Sequence, residues 1–131
     1  VKLGSVNYKV TSIAGNAFKN NKKLKCVTIA SAVTEIGSSA FQNCPNLTKV
    51  TIPSKVTKIG SKAFYGCKKL TSITVKTRKL TAKAVGSKAF AKAGSSNYKK
   101  MKVSVPSKKY EAYRKLLRAK GLSRKAKVVK K

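Results

Sequence analysis

The side chains able to do chemistry in this sequence are few. Cys26, Cys44 and Cys67 are its thiols, Glu35 and Glu111 its only carboxylates, and it has no histidine, aspartate or tryptophan. A nucleophilic cysteine needs a base beside it, ordinarily histidine. General acid–base work uses histidine or two carboxylates held close together, and zinc and calcium sites need clustered nitrogen, sulfur or oxygen ligands. This inventory assembles none of these sets. The reading is a non-enzymatic protein with no catalytic residues, no cofactor and no metal site.

The remaining chemistry is positive charge. Against 2 acids stand 32 basic residues, 28 Lys and 4 Arg, for a net charge of +30 on 131 residues. Self-repulsion on that scale costs stability, so an anionic partner is the natural expectation: lipid headgroups, a sulfated glycan or nucleic acid. Lysine in place of arginine argues for diffuse attraction, because the planar guanidinium is the group suited to bidentate recognition of phosphate or guanine. No zinc-finger spacing, RNP motif or helix-turn-helix pattern occurs, so any nucleic-acid binding is expected to be non-specific. Lys22, Lys23, Lys25, Lys68 and Lys69 crowd around equivalent turns and are the candidate anionic-partner stripe. The competing reading is a solvated surface that keeps the protein soluble.

The elements that must carry these residues follow from a repeat. The four phenylalanines, Phe18, Phe41, Phe64 and Phe90, are spaced by 23, 23 and 26 residues. Each ends the same phrase: I-A-G-N-A-F, I-G-S-S-A-F, I-G-S-K-A-F and V-G-S-K-A-F. Between the phrases runs apolar-x-x-apolar-x-apolar: Leu24, Val27, Ile29, then Leu47, Val50, Ile52, then Leu70, Ile73, Val75. Leu3, Val6, Tyr8 and Tyr98, Met101, Val103 fit the template at either end, making five rungs. A unit this short cannot bury its apolar face alone and must stack on its neighbours. Alternation in V-T-I makes each rung a β-strand, parallel to the next.

The A-F phrase suits a turn followed by a short helical or irregular stretch, with Gly37, Gly60 and Gly86 where the chain turns. Three extra residues between Val75 and Val85 fall within positions 76–83 and read as an exposed loop. From Pro106 the period changes: Tyr110, Tyr113, Leu116 and Leu117 recur at helical spacing, with Ser107 as N-cap and Gly121 as stop. This amphipathic helix is expected to cap the open end of the stack, although it also suits a partner protein. Ala126, Val128 and Val129 suggest a last extended segment, and Lys130 and Lys131 a frayed end. The domain boundaries read as 1–105 for the solenoid and 106–131 for the helical cap and basic tail.

Apolar residues at 41% suffice for a core. No run approaches the roughly 18 apolar residues of a membrane span. No signal peptide is recognised, and the initial Val1 suggests a mature form or an excised fragment.

The unit L-T-K-V-T-I-P-S-K-V-T-K-I-G-S-K-A-F-Y-G-C-K-K-L, from Leu47 to Leu70, resembles the BspA-like leucine-rich repeat of bacterial surface proteins. Its signature I-G-x-x-A-F-x-x-C-x-x-L occurs at Ile36–Leu47 and Ile59–Leu70. Asn21 replaces the cysteine in the first unit. The resemblance implies an α/β-class, right-handed leucine-rich-repeat solenoid with one parallel strand per coil of about 23 residues, closed by a C-terminal capping helix. It also implies a secreted or wall-associated protein with roles in adhesion and recognition, and carries over no catalytic or ligand residue. Anionic cell-wall polymers such as teichoic acid, host polymers and an extracellular protein join the candidate partners. The chain is expected to be monomeric, the C-terminal part of a larger extracellular protein.

Stacked coils place Cys44 and Cys67 about 5 Å apart, within reach of a disulfide, but buried free thiols suit these small core positions better. Cys26 is expected near the surface. Thr28, Thr51 and Thr74 form a candidate column on the outward strand face, with Ser104 near its extension. Such a ladder can order water or offer hydroxyls to a glycan; equally, threonine suits exposed strand positions and supports its neighbours there. Tyr65 and Tyr98 offer rings to sugars or bases, although Tyr98 fits a core rung better. A structural spacer without a ligand is the alternative function.

Overall fold

Stacking by whole coils requires each residue to meet its counterpart one repeat away, and the strand registers show this. The computed structural model describes residues 11–131 and, of the first ten, the backbone of Lys2–Leu3 (β1) and Val6–Asn7 (β2), which pair antiparallel. The side chains of the rung read at Leu3, Val6 and Tyr8 lie outside the described residues. The later strands are Ser12–Ile13 (β3), Cys26–Thr28 (β4), Glu35–Ile36 (β5), Lys49–Ile52 (β6), Lys58–Ile59 (β7), Ser72–Val75 (β8), Lys102–Val105 (β9) and Lys127–Lys130 (β10). A parallel five-stranded sheet runs in the order β10-β9-β8-β6-β4. Val27, Val50, Ile73, Val103 and Val128 are register partners across it, so one apolar column faces the core.

Two features of the coil differ from the sequence reading. The isoleucines that open the A-F phrase form a second parallel sheet, β3-β5-β7, which a bridge from Ile59 extends to Val85. Beyond it the wall carrying the phenylalanines is a run of turns whose amides alternate between destinations. Ser39, Phe41 and Asn43 donate to carbonyls of the next coil at 2.9, 2.8 and 2.7 Å, whereas Ala40 and Gln42 donate within their own coil, each at 3.2 Å. The left-handed backbone this needs falls on Asn16, Ser39, Lys62 and Lys88, not on the phrase glycines. Gly37, Gly60 and Gly86 serve a different purpose: a β-carbon on any of them would run into the backbone of the preceding coil. These glycines let the coils approach each other.

The phenylalanines form one stack, with ring centroids 5.4, 5.4 and 5.5 Å apart. Phe41, Phe64 and Phe90 are buried, and Phe18, in the first coil whose side chains are described, is 37% exposed. The amides of Phe18, Phe41 and Phe64 each donate to the next coil, at Ala40, Ala63 and Ala89. No further A-F phrase follows Phe90, and its amide donates instead to the Lys120 carbonyl at 3.0 Å, at the end of the helix Tyr110–Ala119 (α1). Tyr113, Leu116 and Leu117 of α1 are buried in the core, so the helix closes the stack. It stops at Gly121, whose φ of +103° is left-handed, with the Leu122 amide returning to the Leu117 carbonyl at 3.0 Å.

Four local expectations are corrected. Val103 is the register partner of Ile73, so the fourth complete rung is Val103 and Val105; Met101 is buried, and Tyr98 lies half-buried in a 3₁₀ turn. Residues 76–83 do not form a wholly exposed loop, because Thr77 and Leu80 are buried. Ser107 does not cap the helix; it opens a 3₁₀ turn, Ser107–Lys109, and its hydroxyl donates to the Lys131 carbonyl at 2.9 Å. The tail is not frayed: Lys130 pairs with Val105 in the sheet, and the Lys131 amide donates to the Val105 carbonyl at 2.8 Å.

Candidate functional site

The outward face of the main sheet is set by strand alternation. Thr28, Thr51, Thr74 and Ser104 are consecutive register partners, and the column ends on Val129 of β10. Two residues earlier in each strand runs a second outward column, Cys26, Lys49, Ser72, Lys102 and Lys127. Thr28 is exposed, and Thr51 and Thr74 are half-buried. The threonine ladder is thus flanked by lysines on three of its five rungs. A flat unbroken hydroxyl surface does not result.

Other threonines have a visible structural task. The Thr34 and Thr57 hydroxyls donate at 3.2 and 3.3 Å to the carbonyl one coil back, and those of Thr48 and Thr71 do so at 3.0 and 3.3 Å. Each hydroxyl reinforces the amide of its own residue, which donates to the same carbonyl.

The five sequence-selected lysines are all exposed. Lys22 and Lys68 line one shallow concavity with Asn20, Asn43, Pro45 and Gly66. Between the two lysine pairs sits Asn46, whose amide nitrogen donates to the Lys22 carbonyl at 2.7 Å and whose oxygen accepts from Lys69 Nζ at 3.4 Å. The structure therefore brings Lys22, Lys23, Lys68 and Lys69 to one edge, with the middle coil contributing Pro45 and Asn46 in place of cations. Lys25 lies nearer the sheet, where its carbonyl receives both the amide and the hydroxyl of Thr48. Lys100 extends the edge: it shares a second concavity with Lys68, Lys69 and Ser96. Sequence reading misses it because it sits in the 3₁₀ turn Tyr98–Lys100, out of phase with the 23-residue step.

Tyr65 is half-buried, and its ring carries Lys62 Nζ at 5.6 Å and Lys92 Nζ at 5.7 Å. Lysines thus already occupy this candidate stacking ring. Counter-charge is scarce. Among the described residues one ion pair forms, Arg114 to Glu111 at 3.0 Å.

The thiols divide as expected, with Cys26 exposed and Cys44 and Cys67 buried and free. Cys44 donates to the Phe18 carbonyl at 3.1 Å and Cys67 to the Phe41 carbonyl at 3.0 Å. The neighbouring Cys44 thiol, together with burial, pushes the Cys67 thiol up and holds it protonated. These two cysteines serve the stack.

The family model for the BspA-type leucine-rich repeat region matches residues 2–116 in six copies. The chain belongs to this family. A solved structure to which this repeat protein is similar is a leucine-rich cell surface protein from Faecalibacterium prausnitzii A2-165, at 35% identity and a TM-score of 0.57. The match covers 81% of this BspA-type chain and 27% of that one, so the chain spans about a quarter of its relative's length. Comparison with curated proteins gives no match. Among the described residues no helix is long and apolar enough to cross a membrane.

Proposed function

We propose that this chain is a non-enzymatic, surface-displayed binding module of a larger bacterial protein, and that it holds an anionic polymer along the edge bearing Lys22, Lys23, Lys68 and Lys69. The observation that carries this reading is the convergence of these exposed lysines in a chain with two carboxylates to 32 cations. Family membership and the cell-surface relative support the location. An extended polyanion laid along the edge displaces counterions, so its affinity falls steeply as salt rises. The test is binding to teichoic acid, heparin and duplex DNA across a salt series, with Lys22, Lys23, Lys68 and Lys69 each changed to Glu in one variant. The expected result is strong low-salt binding, reduced by at least about tenfold in the variant. Negligible binding of all three polymers, or binding unchanged by the reversal, overturns the reading.

Two observations favour a structural spacer. The Pro45–Asn46 interruption and the use of Thr34, Thr48, Thr57 and Thr71 within the stack fit a repeat selected for stiffness. The same experiment separates the two, since a spacer binds none of the polymers.

A further inference from the structure

Where the repeat departs from its own period, a second set of cations converges. The Thr77 hydroxyl donates to the Val56 carbonyl at 2.6 Å and accepts the Lys79 amide at 3.1 Å. The Leu80 amide donates to the Tyr113 hydroxyl at 3.1 Å, and that hydroxyl donates to the Thr77 carbonyl at 2.9 Å. Two of these bonds, with Thr77 and Tyr113 buried, hold the inserted segment against α1, one ties it to Val56 of the preceding coil and one closes the segment on itself. Lys76 and Arg78, on either side of Thr77, share a concavity of about 350 Å³ with Ser107 and Lys108 of the turn before α1 and with Lys131 after β10.

Four cations from three separate parts of the chain therefore line one concavity. Like charges gathered this way repel one another, and both side-chain carboxylates lie elsewhere: Glu111 pairs with Arg114, and Glu35 is in β5 of the second sheet. In the 131-residue chain the Lys131 carboxylate offsets one of these charges and accepts from the Ser107 hydroxyl at 2.9 Å, which leaves an excess of three. Neither the insertion nor the helix belongs to the 23-residue unit, so the regular coils have no counterpart of this concavity. We propose that it is an oxyanion site that takes a phosphate group. Arg78 supplies the planar fork that meets two phosphate oxygens at once. Lys76, Lys108 and Lys131 supply point charge around it, and the buried Thr77–Tyr113 network fixes the Lys76–Arg78 backbone before the anion arrives. The site goes beyond the lysine edge and stands without it.

The test is an amide NMR titration of the full 131-residue chain at low ionic strength. The probes are inorganic pyrophosphate and a short glycerol-phosphate oligomer. Pyrophosphate shifts are expected to concentrate at positions 76–80 and 107–109. Changing Lys76→Gln and Arg78→Gln together is expected to weaken pyrophosphate binding by at least about tenfold, the loss of charge-assisted bonds. Both side chains are exposed, so an unchanged urea midpoint shows that the variant is folded. Lys22→Gln with Lys69→Gln leaves pyrophosphate affinity unchanged, which separates this site from the edge. Equal affinity for both probes identifies a free phosphate as the source, and at least about tenfold tighter binding of the oligomer identifies a polymer. Shifts spread evenly over the lysine amides, or equal losses in the two variants, overturn the proposal.

Discussion

The coils from Leu24 to Leu70 and the segment that begins at Lys76 solve the same problem in opposite ways. In the regular coils a backbone group finds its partner one repeat away: Thr48 donates to the Lys25 carbonyl, Thr71 to that of Thr48, and Phe41 to that of Ala63. No single side chain is indispensable to that ladder. After Val75 the step lengthens, and Thr77 and Tyr113, 36 residues apart, bridge the gap with buried hydroxyls. Periodicity satisfies polar groups collectively, whereas a departure from the period needs dedicated side chains. Such departures are also where new surface chemistry can be placed.

The largest expected effect tests the collective side. Phe41→Ala or Phe64→Ala is expected to lower unfolding free energy by about 3–5 kcal/mol, because a ring stacked on both sides, at 5.4 Å around Phe41 and at 5.4 and 5.5 Å around Phe64, leaves a cavity the fixed coil spacing cannot close. Phe18→Ala is expected to cost less, about 1–2 kcal/mol, since that ring is 37% exposed. Urea denaturation measures both. Equal costs at Phe18 and Phe41 would mean that the first described coil is as tightly packed as the middle.

How much of the fold is legible in the sequence depends on element length. The step of 23 and the V-T-I alternation announce the stack, the phenylalanine column and the register of Thr28, Thr51 and Thr74. The second sheet is not legible, because strands of two residues such as Glu35–Ile36 cannot display an alternation. Tyr98 and Met101 mislead by mimicking the spacing of a rung two residues early. Burial of Thr77 and Leu80 is hidden because both are ordinary residues in a lysine-rich stretch, and their partner Tyr113 looks like one member of an amphipathic stripe. Of the candidate edge, sequence phase locates Lys22, Lys23, Lys68 and Lys69, but not Lys100, which only the fold carries there.

The second effect tests the dedicated side chains. Tyr113→Phe keeps the ring and removes the hydroxyl, leaving the Leu80 amide and Thr77 carbonyl without that partner. A cost of about 1–3 kcal/mol is expected, with hydrogen exchange at the Leu80 amide accelerating more than at the regular rungs. Burial raises the Tyr113 pKa above its ordinary value of 10.0. A folded pKa above the unfolded one favours the protonated form in the folded state. The hydroxyl's contribution is therefore complete below about pH 10 and is lost as pH rises through the folded pKa. The gap in stability between the parent and Tyr113→Phe is expected to close over that window. A gap that stays constant to the alkaline limit would show that folding does not favour the protonated hydroxyl, and a gap near zero at every pH would show that the hydroxyl network contributes nothing at this junction.

The smallest effect decides whether the lysine edge belongs to the surface or to the fold. Lys22 and Lys68 share a concavity, but their side chains are exposed, and it is the backbone carbonyl of Lys22 that accepts the hydrogen bond from the Asn46 side-chain amide. Changing both to Gln keeps that carbonyl in place and removes two charges from a chain at +30. Surface substitutions of this kind fall within about 0.5 kcal/mol of neutral. At 0.15 M salt the Debye length is about 8 Å, so the urea midpoint is expected to move little. At 0.01 M salt screening weakens, since the Debye length is about 30 Å, and the variant is expected to become the more stable protein as repulsion falls. A loss above about 1 kcal/mol at both salt concentrations would mean that the aliphatic stems of these lysines pack on the coil edge and help hold it. In that case the edge is part of the stack, as the regular coils are, and charge reversal there no longer isolates binding from folding.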